Sequence, residues 1–255
     1  MLLRLLLITL LCVKYYLHDT QCLQSKLNFN PSETTITAVS QIPLPAGFKR
    51  LPAPGHSFTS WLRNIKLKKD KTVFLYNGIP KQNQSAQFAV LDIPVGNKNL
   101  QQCADAVMRL RASYLFDEKR FDEIVFKDNL GKAYVYGTIK DDRHFQQYLE
   151  NVFAYCGTLS LEKQLKKVND INEIVAGDVF IKGGSPGHAV IVMDVAVNDA
   201  GKKIYLLAQS YMPAQDIHIL VNPIYPSVSP WYYVNDDKEI VTPEWIFARS
   251  QLKQW

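Results

Sequence analysis

Cysteine is scarce: four thiols (Cys12, Cys22, Cys103 and Cys156) serve 255 residues. That number excludes a disulfide-stapled mini-domain, and their scatter argues against a closed zinc site. No H-E-x-x-H or C-x-x-C pattern is present, so neither a metal nor any other cofactor is expected. No apolar run reaches the ~20 residues a membrane-crossing helix requires. Charge of one sign is not concentrated either. The net charge of +5 is spread along the chain, and the densest basic stretch is Lys66, Lys68, Lys69 and Lys71. Nucleic acid is therefore not an expected partner. Repeats and low-complexity tracts are absent, which removes solenoids and disordered tails. What remains is ordinary globular composition, 47% hydrophobic and 21% charged, with enough apolar material for a core.

Residues 2–13 read LLRLLLITLLCV, an apolar run with a thin positive start at Arg4. It is too short to span a bilayer, and it predicts a secretory signal peptide over 1–21, or an uncleaved N-terminal anchor as the one membrane contact. Either places the body outside the cytoplasm. Residues 22–60 are polar and broken by Pro31, Pro43, Pro45, Pro52 and Pro54, which predicts an extended arm. Residues 61–255 then read as a single α+β domain.

Within that domain, strand-like runs occur at 72–78 and 87–94. Asn99 and Gln102 form an N-x-x-Q pair that predicts a helix cap at Asn99, followed by QQCADAVMRLRASYLF. Cys103, Val107, Leu110 and Tyr114 then share one helical face. A hairpin is predicted at 123–138 around Asp128-Asn129-Leu130-Gly131. A helix follows at 142–156 with Gly157 as its stop, and a short helix capped by Ser160 runs through 168. Beyond that the pattern turns to strands at 178–181, 188–197, 203–209 and 216–221. Thr242 and Pro243 predict a final short helix. Helices first and an antiparallel sheet after give an α+β fold.

Nucleophilic thiol chemistry needs a thiolate, a base beside it, and a polar group that orients the base. Cys103 lies in the first turn of its helix, where unpaired N–H groups and the helix dipole favour a thiolate and can bind an oxyanion. The plainer reading is a buried core cysteine. A disulfide to Cys156 is a third option, whereas Cys156 itself sits at a helix end with no reactive setting. His188 opens an apolar strand after the loop Gly183-Gly184-Ser185-Pro186-Gly187, a rim position that suits a general base. His218 alternates with Ile217 and Ile219 and reads as a strand residue. If Val197 pairs with Lys202, then Val190 faces Gln209 and His188 faces Tyr211. Gln209 is then diagonal to His188 on the same face, and its amide oxygen can accept the imidazole Nδ1–H. Asp194 lies ~20 Å along the strand, too far to take that role. Tyr211, Trp231, Tyr232 and Tyr233 are the aromatic candidates for a cleft wall.

A helix-initiating cysteine, a Gly-Asp turn and strand, then GHAVIV and LLAQSY resemble the NlpC/P60 and CHAP cysteine peptidase-amidase superfamily. Between Phe58 and Pro223 the chain more broadly resembles a domain-of-unknown-function family of secreted bacterial proteins. The motifs are QQCADAVMRLRA, GHAVIVMD and LLAQSYMPAQDIHIL. The peptidase resemblance implies a papain-like helix with an N-terminal cysteine packed on an antiparallel sheet. It implies Cys103 as nucleophile, His188 as base and Gln209 as orienting residue. The implied activity is that of a secreted thiol amidase or endopeptidase, with peptide or peptidoglycan as partner. The chain departs from that pattern in the residues around Cys103. It also has a long Cys103–His188 separation, which predicts an inserted hairpin and helix. The alternative is a catalytically inactive envelope module that binds glycan or peptide in the same cleft.

Overall fold

The computed structural model describes residues 36–137 and 141–255. The signal-like segment and residues 22–35 of the arm lie outside the described residues. From residue 36 the arm packs into the body: Val39 and Ile42 are fully buried, and β1 (Phe48–Arg50) pairs with the far end of a long central strand. Helix α1 (Phe58–Asn64) follows, capped by the Ser57 hydroxyl, which accepts the Ser60 N–H.

The architecture is mixed α+β with a large antiparallel sheet. Its main path runs β2 (Gln87–Val90), β9 (His218–Leu220), β8 (Lys203–Gln209), β7 (His188–Asn198), β6 (Val179–Lys182), β13 (Leu252–Gln254) and β5 (Lys166–Lys167). Strand β10 (Tyr232–Tyr233) adds to β8. Strand β7 has no polar alternation because both its faces are covered. Ala189, Ile191, Met193 and Ala196 join the core under α2 (Cys103–Asp117). Val190, Val192 and Val195 face a second core containing Phe180, Tyr205 and Phe247.

Helix α2 lies deep in the larger core, buried from Ala104 through Leu110. Its small residues Ala104, Ala106 and Ala112 let the helix approach β7 closely. The other α-helices among the described residues are α3 (Asp142–Tyr155) and α4 (Thr158–Gln164). The α3 stripe of Phe145, Tyr148, Leu149 and Val152 is buried, and the Asp141 carboxylate caps it on the His144 N–H. The hairpin β3 (Val125–Lys127) and β4 (Ala133–Val135) forms its own two-stranded sheet.

Four local expectations are corrected. The cap of α2 is Gln102, not Asn99: the Gln102 N–H donates to the Asp105 carboxylate at 2.9 Å, which makes Cys103 the first helical residue. Ser160 does not cap α4 but sits three residues inside it, and its hydroxyl accepts the Gly157 N–H. Residues 72–78 make only isolated bridges, because Asn77 and Gly78 (φ +80°) turn the chain back on itself. The helix expected after Thr242 is a hairpin of β11 (Glu239–Val241) and β12 (Ile246–Ala248). Its loop is closed by Thr242, whose hydroxyl accepts the Trp245 N–H. A threonine followed by proline suits a tight loop as well as a helix start, and the flanking β-branched and aromatic residues decide for the hairpin.

The register of β7 and β8 shifts partway along the pair. At the turn Val197 pairs with Lys203, one step from the expected partner. A bulge between Val192 and Asp194 then absorbs one residue, so Ile191 pairs with Ala208 and the far end recovers the expected register. The bulge also turns Asp194 toward Arg50 and Arg63. Both guanidinium Nε atoms donate to its carboxylate at 2.6 Å, and Asp194 is fully buried.

Candidate functional site

Three chain segments converge where β7 begins. The stretch leading into α2 is pinned to the end of β8. The Asn99 side-chain oxygen accepts the Ala214 N–H at 2.8 Å, and the Ser210 hydroxyl lies 3.0 Å from the Gln101 carbonyl. The loop before β7 is equally constrained. A Cβ at residue 187 would sit 2.4 Å from the Gly184 carbonyl oxygen and 2.8 Å from that of Lys182, so only glycine closes this loop against the strand. Cys103 and His188 are thus each held on rigid backbone, and both line one cavity of about 720 Å³ with Asp105, Cys156, Thr158, Tyr211 and Trp245.

The Cys103 thiol lies against the amides of Cys103, Ala104 and Ala189, the last belonging to the residue after His188. Those N–H groups favour a thiolate, yet burial outweighs them and, with the nearby Asp105, pushes the thiol up to about 11. The expected lowering by the helix N-terminus is therefore overturned by desolvation. Burial also holds the His188 imidazole down to about 4, although Gln209 and Glu244 favour its charged form. The resting pair at neutral pH is an uncharged thiol and an uncharged imidazole. No hydrogen bond joins them among the described residues.

His188 is only 2% exposed and packs against Tyr211, Trp245 and Phe247, with ring centroids at 4.7, 5.3 and 5.7 Å. Gln209 does meet His188, as the strand pairing predicts, at 2.9 Å, but through the imidazole Nε2 and not the Nδ1 expected of an orienting residue. Nδ1 is left for other partners. Behind Gln209 lies a buried polar chain. Its amide nitrogen donates to Glu244 at 2.7 Å and lies 3.4 Å from His218 Nε2, while Lys81 pairs with Glu244.

The remaining candidates divide cleanly. Tyr211 lines the cavity, whereas Trp231 and Tyr232 are buried elsewhere; Trp231 donates to the Pro43 carbonyl and Tyr232 to that of Val221. Tyr233 faces a different cleft. Cys103 and Cys156 are both free thiols on the same cavity wall. Among the described residues no group of three or more His, Cys, Asp or Glu side chains is placed to hold a metal ion.

Residues 39–141 and 137–254 match the family model described as "Domain of unknown function (4846)". The chain belongs to the DUF4846 family. No curated protein and no solved structure matches it.

Sequence reasoning missed four residues at this DUF4846 site: Glu244, His218, Lys81 and Trp245. Glu244 and Trp245 sit in the loop of the C-terminal hairpin, so reading Thr242-Pro243 as a helix start hid them. The signal available was the pair of short β-like runs EIV and IFA on either side of TPEW. For His218 and Lys81 no local signal exists, since each gains its role from partners more than 100 residues away or across the sheet.

Proposed function

We propose that this protein is a thiol hydrolase of peptide amide bonds, in which Cys103 is the nucleophile, His188 the general base and Gln209 the residue that orients it. The observation that carries the reading is the meeting of a helix-initiating thiol and a Gln209-held imidazole on one cavity. The sequence resemblance to NlpC/P60 and CHAP enzymes, which implies a papain-like fold, points the same way. The signal-like run at residues 2–13 adds a location outside the cytoplasm and makes cell-wall peptides the substrate class.

The chemistry runs through a neutral pair. As Cys103 Sγ attacks the carbonyl carbon, its proton passes to His188 Nδ1, and the oxyanion is held by first-turn N–H groups of α2. Collapse breaks the C–N bond, and the leaving amine takes the proton from His188. Water, deprotonated by the same imidazole, then adds to the thioester; collapse breaks the C–S bond and frees the acid, and the leaving Cys103 thiolate takes the proton back from His188. A base that is neutral at pH 7 is in the right state for the first step.

The test is turnover of cell-wall stem peptides by the intact chain, read by mass spectrometry. Cys103→Ala and His188→Ala should each reduce cleavage by ~10³-fold or more. Unchanged cleavage in Cys103→Ala would sink the proposal. A second reading, a non-catalytic module that binds glycan or peptide in this cleft, draws support from the high thiol and low imidazole values. Binding without turnover, insensitive to Cys103→Ala, would favour it.

A further inference from the structure

We propose that Glu244, with His218, is a positioning residue that selects the tautomer of His188 by fixing which way the Gln209 amide faces. An uncharged imidazole carries one N–H, and a primary amide has an oxygen that only accepts and a nitrogen that only donates. Gln209 could face His188 with either end if its surroundings were indifferent. They are not.

The far end of Gln209 meets two acceptors. Glu244 Oε2 lies 2.7 Å from the amide nitrogen, and it already receives the Lys81 ammonium, so it offers a lone pair and no proton. His218 Nε2 lies 3.4 Å from the same nitrogen. His218 Nδ1 lies 2.9 Å from the Asp216 carbonyl oxygen, which can only accept, so the His218 proton is on Nδ1 and Nε2 presents a bare lone pair. Flipping Gln209 would set its oxygen against a carboxylate and an imidazole lone pair with no hydrogen between them. The amide nitrogen therefore faces Glu244 and His218, and Oε1 faces His188 Nε2 at 2.9 Å. His188 must then carry its proton on Nε2, which leaves Nδ1 unprotonated.

The chain of assignments runs from Lys81 through Glu244 and Gln209 to His188, and each link is forced by the one before it. Its catalytic meaning rests on the proposed function, because an unprotonated Nδ1 is what a base toward Cys103 requires. Its structural content does not.

Two-bond ¹H–¹⁵N correlation spectra of the full chain at pH 7 read the tautomer directly. The expected result is His188 wholly in the Nε2–H form. The variant Lys81→Met/Glu244→Met removes the buried ammonium and its half-buried carboxylate partner together, so no lone ammonium is left behind. In it Gln209 keeps only the weak His218 contact, and the Nδ1–H form should rise to at least about a tenth of His188. A parent spectrum showing Nδ1–H, or a folded double variant that stays wholly Nε2–H, would overturn the proposal. The parent spectrum needs no variant, so misfolding of the double variant does not remove the test. If the chain cleaves peptides, the double variant should lose kcat with little change in KM. If it cleaves nothing, the thiol-hydrolase reading falls while the tautomer result still stands or fails by its own spectrum.

Discussion

Asp105 is the residue whose replacement tests the electrostatics of this site most sharply. It sits two residues after Cys103, buried, with one carboxylate oxygen accepting the Gln102 N–H and the other without a partner. Burial raises its pKa from the ordinary 3.8 to about 8. Between those values the folded protein keeps a proton that the unfolded chain releases. Stability from this group is therefore full in acid and is lost as pH rises, at about 1.4 kcal/mol per pH unit, levelling off near the folded value. At pH 7 the accumulated cost is on the order of 4 kcal/mol. Asp105→Asn keeps an oxygen for the Gln102 N–H and cannot ionise. Its new amide hydrogens face the unpartnered position, a constant penalty of roughly 1–3 kcal/mol that carries no pH dependence. The variant should gain on the parent steadily from pH 5 to pH 8, overtaking it at around pH 5–6 by these magnitudes. Asp178, raised to about 7, titrates in the same direction in both proteins and cancels from the difference. Urea unfolding of both proteins at pH 5, 6, 7 and 8, compared at equal m, measures this. A stability difference that does not change with pH would refute the buried, proton-holding carboxyl. The same variant should alkylate faster at Cys103 near pH 9, because one nearby anion that raises the thiol has been removed.

With its thiol near 11 against 9.0 for an ordinary one, Cys103 should react with iodoacetamide at pH 7 about tenfold more slowly than a model thiol. The lost thiolate fraction is only partly offset by the greater nucleophilicity of a more basic sulfur. Peptide mapping over pH 6–10 should show a rate still climbing at pH 9, and a plateau below pH 8 would contradict the neutral resting pair. Asp194→Ala should cost about 3–5 kcal/mol in chemical denaturation, because it strands the Arg50 and Arg63 guanidinium groups beside a fully buried position. A loss under about 1 kcal/mol would show that this triad contributes little.

Local pattern carried far into this fold. The β-branched runs at 188–197 and 203–209 became β7 and β8 almost residue for residue, because side-chain alternation and burial act over two to four positions. The amphipathic stripe of α3 and the Asp128–Gly131 turn were legible for the same reason. Even the His188–Gln209 contact was within reach, because antiparallel pairing converts sequence distance into spatial distance, though the bulge at Met193 was needed to restore the register. What failed were boundaries with two local solutions, such as Asn99 against Gln102 as a cap, or Thr242-Pro243 as helix start against hairpin loop. In both cases the winning solution is the one that tertiary partners complete: Ala214 takes the Asn99 oxygen, and Trp245 packs on His188.

The sequence by itself determined an α+β chain with a thiol at the head of a buried helix and a histidine at the mouth of an apolar strand. Those are consequences of periodicity, capping and turn chemistry, which are local. Only the tertiary structure decided the protonation of that pair. Desolvation depends on everything packed around a group, so it could reverse the dipole argument at Cys103. It also decided that the His188 imidazole is held through Nε2, by a glutamine whose amide nitrogen meets Glu244, 35 residues further along the chain. A hydrogen-bond chain assembled from β7, β8, β9, the segment at Lys81 and the C-terminal hairpin leaves no pattern in any one stretch of sequence.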